Sequence, residues 1–230
     1  MQKVFICNFA SNSFQVQQSK QLNAWLEMGV DAKNVYLLSP SDLPKDFNAD
    51  FPSANETNRF GWFSFKPSLL LVMLSKMADG DILIYLDVND RPLIGILEYV
   101  KSVMSAPESP GILACGTHYV NSKHQSMFHI QNWRVELRAA SGLFVQPEAG
   151  ALAIKNSKDV RSLVKLWYEM TLLQARSIEK VGNQESSRHD QETLFLLSRI
   201  YRTIKIESWY MYKFFGKESL RKYIDWECFR

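Results

Sequence analysis

Gly80-Asp81-Ile82-Leu83-Ile84-Tyr85-Leu86-Asp87-Val88-Asn89-Asp90-Arg91-Pro92 decides how the rest of the chain is read. An apolar, β-rich run from Ile82 to Leu86 opens after a glycine and a charge, and it stops at the polar residues Asp87, Asn89 and Asp90. A short continuous apolar run bounded by turn residues predicts a strand buried on both faces. Burial on both faces is the habit of parallel sheets covered by helices. Acidic groups just past the carboxyl end of such a strand stand where open α/β sheets bind ligands. Oxygen donors there suit a hard cation that carries a diphosphate. The same residues also suit a plain polar turn, because Asx side chains bond their own backbone.

The stretches around this strand repeat a β-loop-α pattern. Lys3 to Phe9 reads as a first strand, followed by the polar loop Asn8 to Ser13. Val16, Leu22, Trp25 and Leu26 recur at helical spacing from Gln15 to Met28, and Gly29 stops the helix. Asn34 to Leu38 gives a second strand. This start predicts a doubly wound α/β sheet, mostly parallel and flanked by helices, with the loop after the first strand facing the ligand crevice. No G-x-G-x-x-G follows that strand, so the dinucleotide fingerprint is absent. Ser39 to Asn58 reads as an irregular excursion, and Ser68 to Met77 as an apolar helix begun by Pro67. Lys66, at that helix start, opposes the helix dipole unless an anion is near; the alternative is a solvent-exposed lysine.

Beyond the central strand, Pro92 to Met104 predicts another helix and Ile112 to Cys115 a short strand. His118, His124 and His129 fall in the polar segment Gly116 to Gln131 at spacings that fit no zinc signature. Arg134 to Ser141 is a candidate short helix, and Gly150 to Asn156 a strand. In the helix Lys158 to Gln174, Val160, Leu163, Val164, Trp167, Tyr168 and Thr171 form a core face. Arg176 to Ser187 reads as a polar loop. Arg188-His189-Asp190-Gln191-Glu192 then opens an apolar helix, with Asp190 placed to cap it. Thr203 to Glu207 is a late strand. The aromatic and basic tail, 208–230, is either a cap on the fold or a surface for a lipid-linked acceptor.

Composition bounds the partners. The chain has 230 residues, 46% of them hydrophobic, enough for one large α/β domain. The net charge of +3 falls short of the dense basic face of a nucleic-acid binder. Cys7, Cys115 and Cys228 are odd in number and far apart, which supports reduced thiols and neither a disulfide framework nor a zinc site. The longest apolar run, Leu69 to Leu74, is far below the roughly 20 residues that span a bilayer. The expected location is the cytoplasm, with peripheral attachment at the membrane surface as an option.

Three ordered stretches carry a resemblance that covers about residues 3 to 205. Gly61-Trp62-Phe63-Ser64-Phe65-Lys66-Pro67 resembles the G-[YF]-W-x-W-K-P segment of a group of small glycosyltransferases. Asp79-Gly80-Asp81 followed by Tyr85-Leu86-Asp87-Val88-Asn89 resembles their D-G-D and Y-L-D-A-G stretches. Ala149-Gly150, a helix with Trp167, and Arg188-His189-Asp190-Gln191-Glu192 match their later Ala-Gly strand, Trp helix and R-H-D-Q-S helix start. The resemblance implies a GT-A fold in a single domain, 1–230. It implies a hexosyltransferase of the kind found in bacterial, phage and viral surface-polysaccharide pathways, moving a sugar from a nucleotide-diphospho-sugar to a hydroxyl.

The resemblance also implies roles for individual residues. Asp87 is the first acid of a DxD-like motif and Asn89 its last position, where family members often have Gly and other GT-A enzymes Asp; Asp90 is an extra carboxylate that could substitute. Asp87, Asn89 and His189 would hold a divalent metal, Mn²⁺ ahead of Mg²⁺. Asn8, Ala10 and Ser11 would lie near base and ribose, Trp62 would wall the sugar, and Val88, Gly150 and Gln191 would complete the nucleotide-sugar pocket. Lys66 would bind a phosphate or order Asp87, and Asp190 would contact the donor sugar or act as general base in an inverting reaction. The expected donor is a UDP-sugar first and a GDP-sugar second, with a saccharide or lipid-linked saccharide as acceptor. A sugar-1-phosphate nucleotidyltransferase would need a Gly-rich phosphate loop, and Asn8 to Ser13 contains no glycine. A catalytically weak or inactive nucleotide-sugar-binding module is the other reading, supported by Asn89 in place of an acid.

Overall fold

A computed structural model describes residues 2–51, 60, 63–118, 145–181, 189–208 and 220–225. Its centre is a six-stranded sheet in the order β2-β1-β3-β6-β5-β7. The strands are β1 (Val4–Phe9), β2 (Val35–Leu38), β3 (Ile82–Leu86), β5 (Ile112–His118), β6 (Val145–Lys155) and β7 (Ile204–Ser208). β1 pairs in parallel with both β2 and β3, and β5 with β7; β6 runs antiparallel to its neighbours β3 and β5. A single reversed strand therefore joins two parallel sets, giving the mostly parallel α/β sheet expected from the sequence.

Ile82 to Leu86 sits in the middle of this sheet, and every residue of it is buried. Pleating sends alternate side chains to opposite faces. Leu83 and Tyr85 join a core with Phe47, Phe65, Leu69, Met73 and Trp167. Ile82, Ile84 and Leu86 join a second core with Trp25, Ile96, Val100 and Met104. The first core is covered by α2 (Lys45–Asp50), α3 (Phe65–Ser75), α5 (Lys158–Val181) and α6 (His189–Ile200), and the second by α1 (Gln15–Glu27) and α4 (Ile96–Ser105). Full burial of each large aliphatic side chain stabilises by about 1.5–3 kcal/mol, which is why one β-rich pentapeptide can hold two helical layers. Cys7 and Cys115 are buried core residues.

The Asp79-Gly80-Asp81 stretch is a clasp at the other end of the strand. Asp81 accepts from the Lys3 amide at 2.9 Å and the Ala78 amide at 3.2 Å. Asp79 takes the Arg161 guanidinium at 2.6 Å. Asn156 donates to the carbonyls of Leu74, Met77 and Ala78, closing the carboxyl end of α3. Gly80 has φ of 90°, a left-handed conformation that glycine takes without a steric penalty.

Several expectations are corrected. Within Ser39 to Asn58, the described part is no irregular excursion: it contains a 3₁₀ turn at Pro40–Asp42 and helix α2. Phe47 and Phe51, four residues apart, anchor it at 0% and 1% exposure, so a few core contacts order a largely polar segment. Pro92 starts no helix; β4 (Arg91–Pro92) pairs with β8 (Ile224–Asp225), and α4 begins at Ile96 after Gly95 at φ 94°. Arg176 to Val181 continues α5, with Ala175 fully buried, where a loop was expected. β5 reaches His118 and β6 starts at Val145, both longer than the sequence suggested. The candidate helix Arg134 to Ser141, with His124, His129, Cys228, Trp62 and Arg188, lies outside the described residues.

Leu220 and Ile224 enter the second core. Glu207 ties Leu220 to α4, accepting the Leu220 amide at 2.7 Å and the Tyr99 hydroxyl at 2.7 and 2.8 Å.

Candidate active site

The carboxyl end of β3 meets the first turns of α3 and α6, and three charged side chains converge there. Lys66 Nζ lies 3.2 and 3.3 Å from the two oxygens of Asp87 and 3.3 Å from Asp190 Oδ2. The lysine and Asp190 side chains are almost fully buried, at 6% and 2% exposure, while that of Asp87 is 41% exposed. Lys66 is therefore no surface lysine, and the helix start that would reject it is offset by two carboxylates. Its ammonium also lies over the Phe63 and Tyr85 rings, 5.2 and 5.7 Å from their centroids.

Each group is fixed by a different element. Tyr85, two residues before Asp87 on the same face of β3, donates its hydroxyl to Asp87 Oδ1 at 2.9 Å. The Asp87 amide donates to the Gly150 carbonyl at 2.7 Å across the β3–β6 boundary. A Cβ at Gly150 would fall 2.5 Å from Asp87 Oδ2, so glycine lets this carboxylate stand where it does and a larger residue would make it shift. The backbone of Asp190 is held by Trp167, whose Nε1 donates to its carbonyl at 2.8 Å. Trp167 is thus the core residue its periodicity indicated, with its polar edge spent on the site.

Burial and charge oppose each other within the trio. Burial pushes the Asp190 carboxyl above its ordinary range, and the Asp87 charge adds to this against the pull of Lys66. Burial acts to lower Lys66, but Asp87 and Asp190 together outweigh it and leave the ammonium held above its usual value. The Tyr85 hydroxyl is pushed well up by burial and by Asp87, so it serves as a donor and stays protonated. Asp190 Oδ2 accepts no hydrogen bond of good geometry among the described residues, and the ammonium at 3.3 Å is its compensation. With both acids ionised, two negative charges against one positive leave one net negative charge, exposed only through Asp87.

Beyond Asp87 the chain turns at once: the Asp90 amide donates to the Asp87 carbonyl at 2.9 Å. Val88 and Asn89 are the central residues of that turn. Asn89 Oδ1 is buried and has no hydrogen-bond partner among the described residues. An orphaned oxygen acceptor beside a half-exposed carboxylate fits a hard cation's preference for oxygen donors. Among the described residues no three His, Cys, Asp or Glu side chains converge as a metal cluster. His189 opens α6 next to Asp190, which brings its backbone to the site; its side chain is not among those described. Asp90 is buried at 5% exposure.

Five of the expected pocket residues are buried. Asn8 has no exposed surface, and its amide is engaged by Gln18 at 2.8 Å and Gln21 at 2.7 Å. Ala10 and Ser11 lie at the same strand end, buried at 3% and 7% exposure. Val88 and Gln191 are also buried, at 7% and 5%. Gln21, Tyr85 and Phe63 belong to the site and were not singled out from sequence. Tyr85 was legible in retrospect as the i−2 neighbour of Asp87; Gln21 was hidden in an ordinary helix.

No protein-family model matches the chain, and no curated protein does. Solved structures do. The apo form of mouse xyloside xylosyltransferase 1 superposes with a TM-score of 0.54 at 10% identity, covering 96% of each chain. The galactosyltransferase LgtC, in complex with donor and acceptor sugar analogues, gives 0.52 at 13% identity, covering 87% of this chain and 72% of that one. The chain has the GT-A fold. No helix among the described residues is long and apolar enough to cross a membrane.

Proposed function

We propose that this protein transfers a sugar from a nucleotide-diphospho-sugar, UDP-linked first and GDP-linked second, to a hydroxyl of a saccharide or lipid-linked saccharide acceptor. The observation that carries the reading is the buried Lys66–Asp190 pair aiming one half-exposed carboxylate, Asp87, out of the carboxyl end of the central strand of a GT-A sheet. Ligand crevices of open α/β sheets lie at this end.

The charge of the trio decides how a diphosphate would be met. With both acids ionised, the trio's one net negative charge repels a bare diphosphate, and a cation would bridge the two. Asp87 and the orphaned Asn89 Oδ1 would hold that ion, with His189 as a nitrogen donor; such a mixed set favours Mn²⁺ over Mg²⁺. A divalent ion held there would supply charge stabilisation to the leaving diphosphate. The chain's own residues do the rest. Lys66 orders Asp87, and its two carboxylate contacts leave it as a strut more than a free phosphate ligand. Asp190, buried behind Lys66, keeps that ammonium charged and in place. With its side chain 2% exposed, Asp190 is read here as the counter-ion of Lys66. Tyr85 and Gly150 fix the Asp87 rotamer, so the site needs no reorganisation when donor binds.

Donor consumption across UDP-, GDP-, CDP- and dTDP-sugars, with a saccharide acceptor panel and with or without Mn²⁺, tests the reading. Asp87→Ala should lose about 10²-fold or more in turnover. Unchanged turnover in that variant refutes the site. Nucleotide binding with no donor consumed under any condition points to a nucleotide-sugar-binding module instead.

A further inference from the structure

The inner face of α1 carries an anomaly. Gln18, Gln21, Ala24 and Trp25 are its buried residues, and helical spacing there calls for apolar side chains throughout. Gln21 is nonetheless fully buried, at 0% exposure. A buried amide is costly unless every polar atom is paired, and Gln21 pairs all of its groups. Its Nε2 donates to the Asp87 carbonyl at 2.8 Å and to the Asp90 carbonyl at 2.7 Å, and its Oε1 accepts from Asn8 Nδ2 at 2.7 Å. Asn8 Oδ1 in turn accepts from Gln18 Nε2 at 2.8 Å, and Gln18 also donates to the Leu38 carbonyl at 2.9 Å. One continuous chain of side-chain amides thus links the carboxyl ends of β2, β1 and β3.

The two carbonyls that Gln21 grips are the first and last of the Asp87–Asp90 turn. Its amide is a staple across the turn that aims Asp87 and Asn89. β3 itself is held without it, since Ile82 to Tyr85 pair with β1 and Ile82 to Leu86 with β6. Gln21 therefore spends its hydrogen bonds beyond the strand, where the site begins.

We infer that Gln21 is a positioning residue for the Asp87–Asp90 turn, acting through backbone carbonyls and touching no substrate, and that the Gln18–Asn8 pair holds it in register. The catalytic part of this inference rests on the glycosyltransferase reading; the positioning part stands apart from it.

Gln21→Met keeps the side-chain length and removes both donors and the acceptor. Gln18→Met cuts the chain one link earlier and leaves the staple itself in place, so it serves if the first variant does not fold. Hydrogen exchange on the free protein is read first. Gln21→Met should speed exchange of the Asp87 and Asp90 amides while the β1 and β3 amides stay protected; Gln18→Met should do so less. Protection of the turn unchanged in both variants overturns the positioning role. Turnover with the donor that wild type consumes is read next. A displacement of about 1 Å at a reacting site can cost about 10²-fold, so Gln21→Met should lose about that in kcat with the acceptor KM held. Loosened exchange with unchanged kcat overturns the link to catalysis. A wild type that consumes no donor refutes the glycosyltransferase reading alone, because the exchange result is obtained without substrate.

Discussion

Gly150→Ala isolates the geometry on which the site depends. The new Cβ would stand 2.5 Å from Asp87 Oδ2 and 3.0 Å from its Cγ, whereas ordinary contact begins near 3.4 Å. The carboxylate must therefore retreat by about 0.9 Å, or rotate away from Tyr85 and Lys66. Two effects on stability oppose each other. Alanine in a strand gains about 0.5–1 kcal/mol over glycine, while the displaced Asp87 loses one hydrogen bond from Tyr85, worth about 0.5–1.5 kcal/mol. The Lys66 contact adds little to that loss, because Asp87 is 41% exposed and screened by solvent. The fold should stay within about 1 kcal/mol of wild type by urea titration. Turnover should fall by about 10²-fold, close to 2.7 kcal/mol of transition-state stabilisation. Because the alanine acts only through Asp87, the Gly150→Ala/Asp87→Ala double variant should be no slower than Asp87→Ala. Full turnover in Gly150→Ala, or additive losses in the double variant, refutes the claim that this glycine exists to make room for the carboxylate.

Two further outcomes follow from the buried pair. Lys66→Met strands Asp190 in the core with no compensating charge, and breaking such a pair costs about 3–5 kcal/mol; urea titration should show that loss at neutral pH, and Lys66→Met/Asp190→Asn should regain part of it. The second outcome concerns pH. Burial raises the Asp190 carboxyl above its ordinary 3.8, so the native state holds this proton more tightly than the unfolded chain does. Its contribution is then fully favourable below 3.8 and declines as pH rises through the raised native value. Asp190→Asn removes that decline, so the stability of wild type relative to the variant should fall across this window; a constant difference contradicts it.

The sequence by itself determined the central strand and its neighbours. Five apolar residues bounded by Gly80-Asp81 and Asp87 can be satisfied only by burial on both faces, and that requirement implies helices above and below. The acid at the strand end, the helix carrying Trp167 and the Asp190 helix start were legible for the same reason: local pattern and local chemistry coincide there. Where a segment's order comes from distant partners, the pattern was silent. Phe47 and Phe51 order a polar stretch only because a core lies beneath them. Pro92 takes a strand because Ile224, far along the chain, pairs with it. Lys66 read as an exposed lysine, a phosphate ligand or a residue ordering Asp87, and only the approach of Asp190 across 124 residues makes it a buried strut. Gln21 shows the limit most plainly. A glutamine in a helix carries no signal of its own, and its role exists only once three strand ends are brought within reach of one amide. Burial preference is written residue by residue, but hydrogen-bond partners and compensating charges are set by which chain ends the sheet order places side by side.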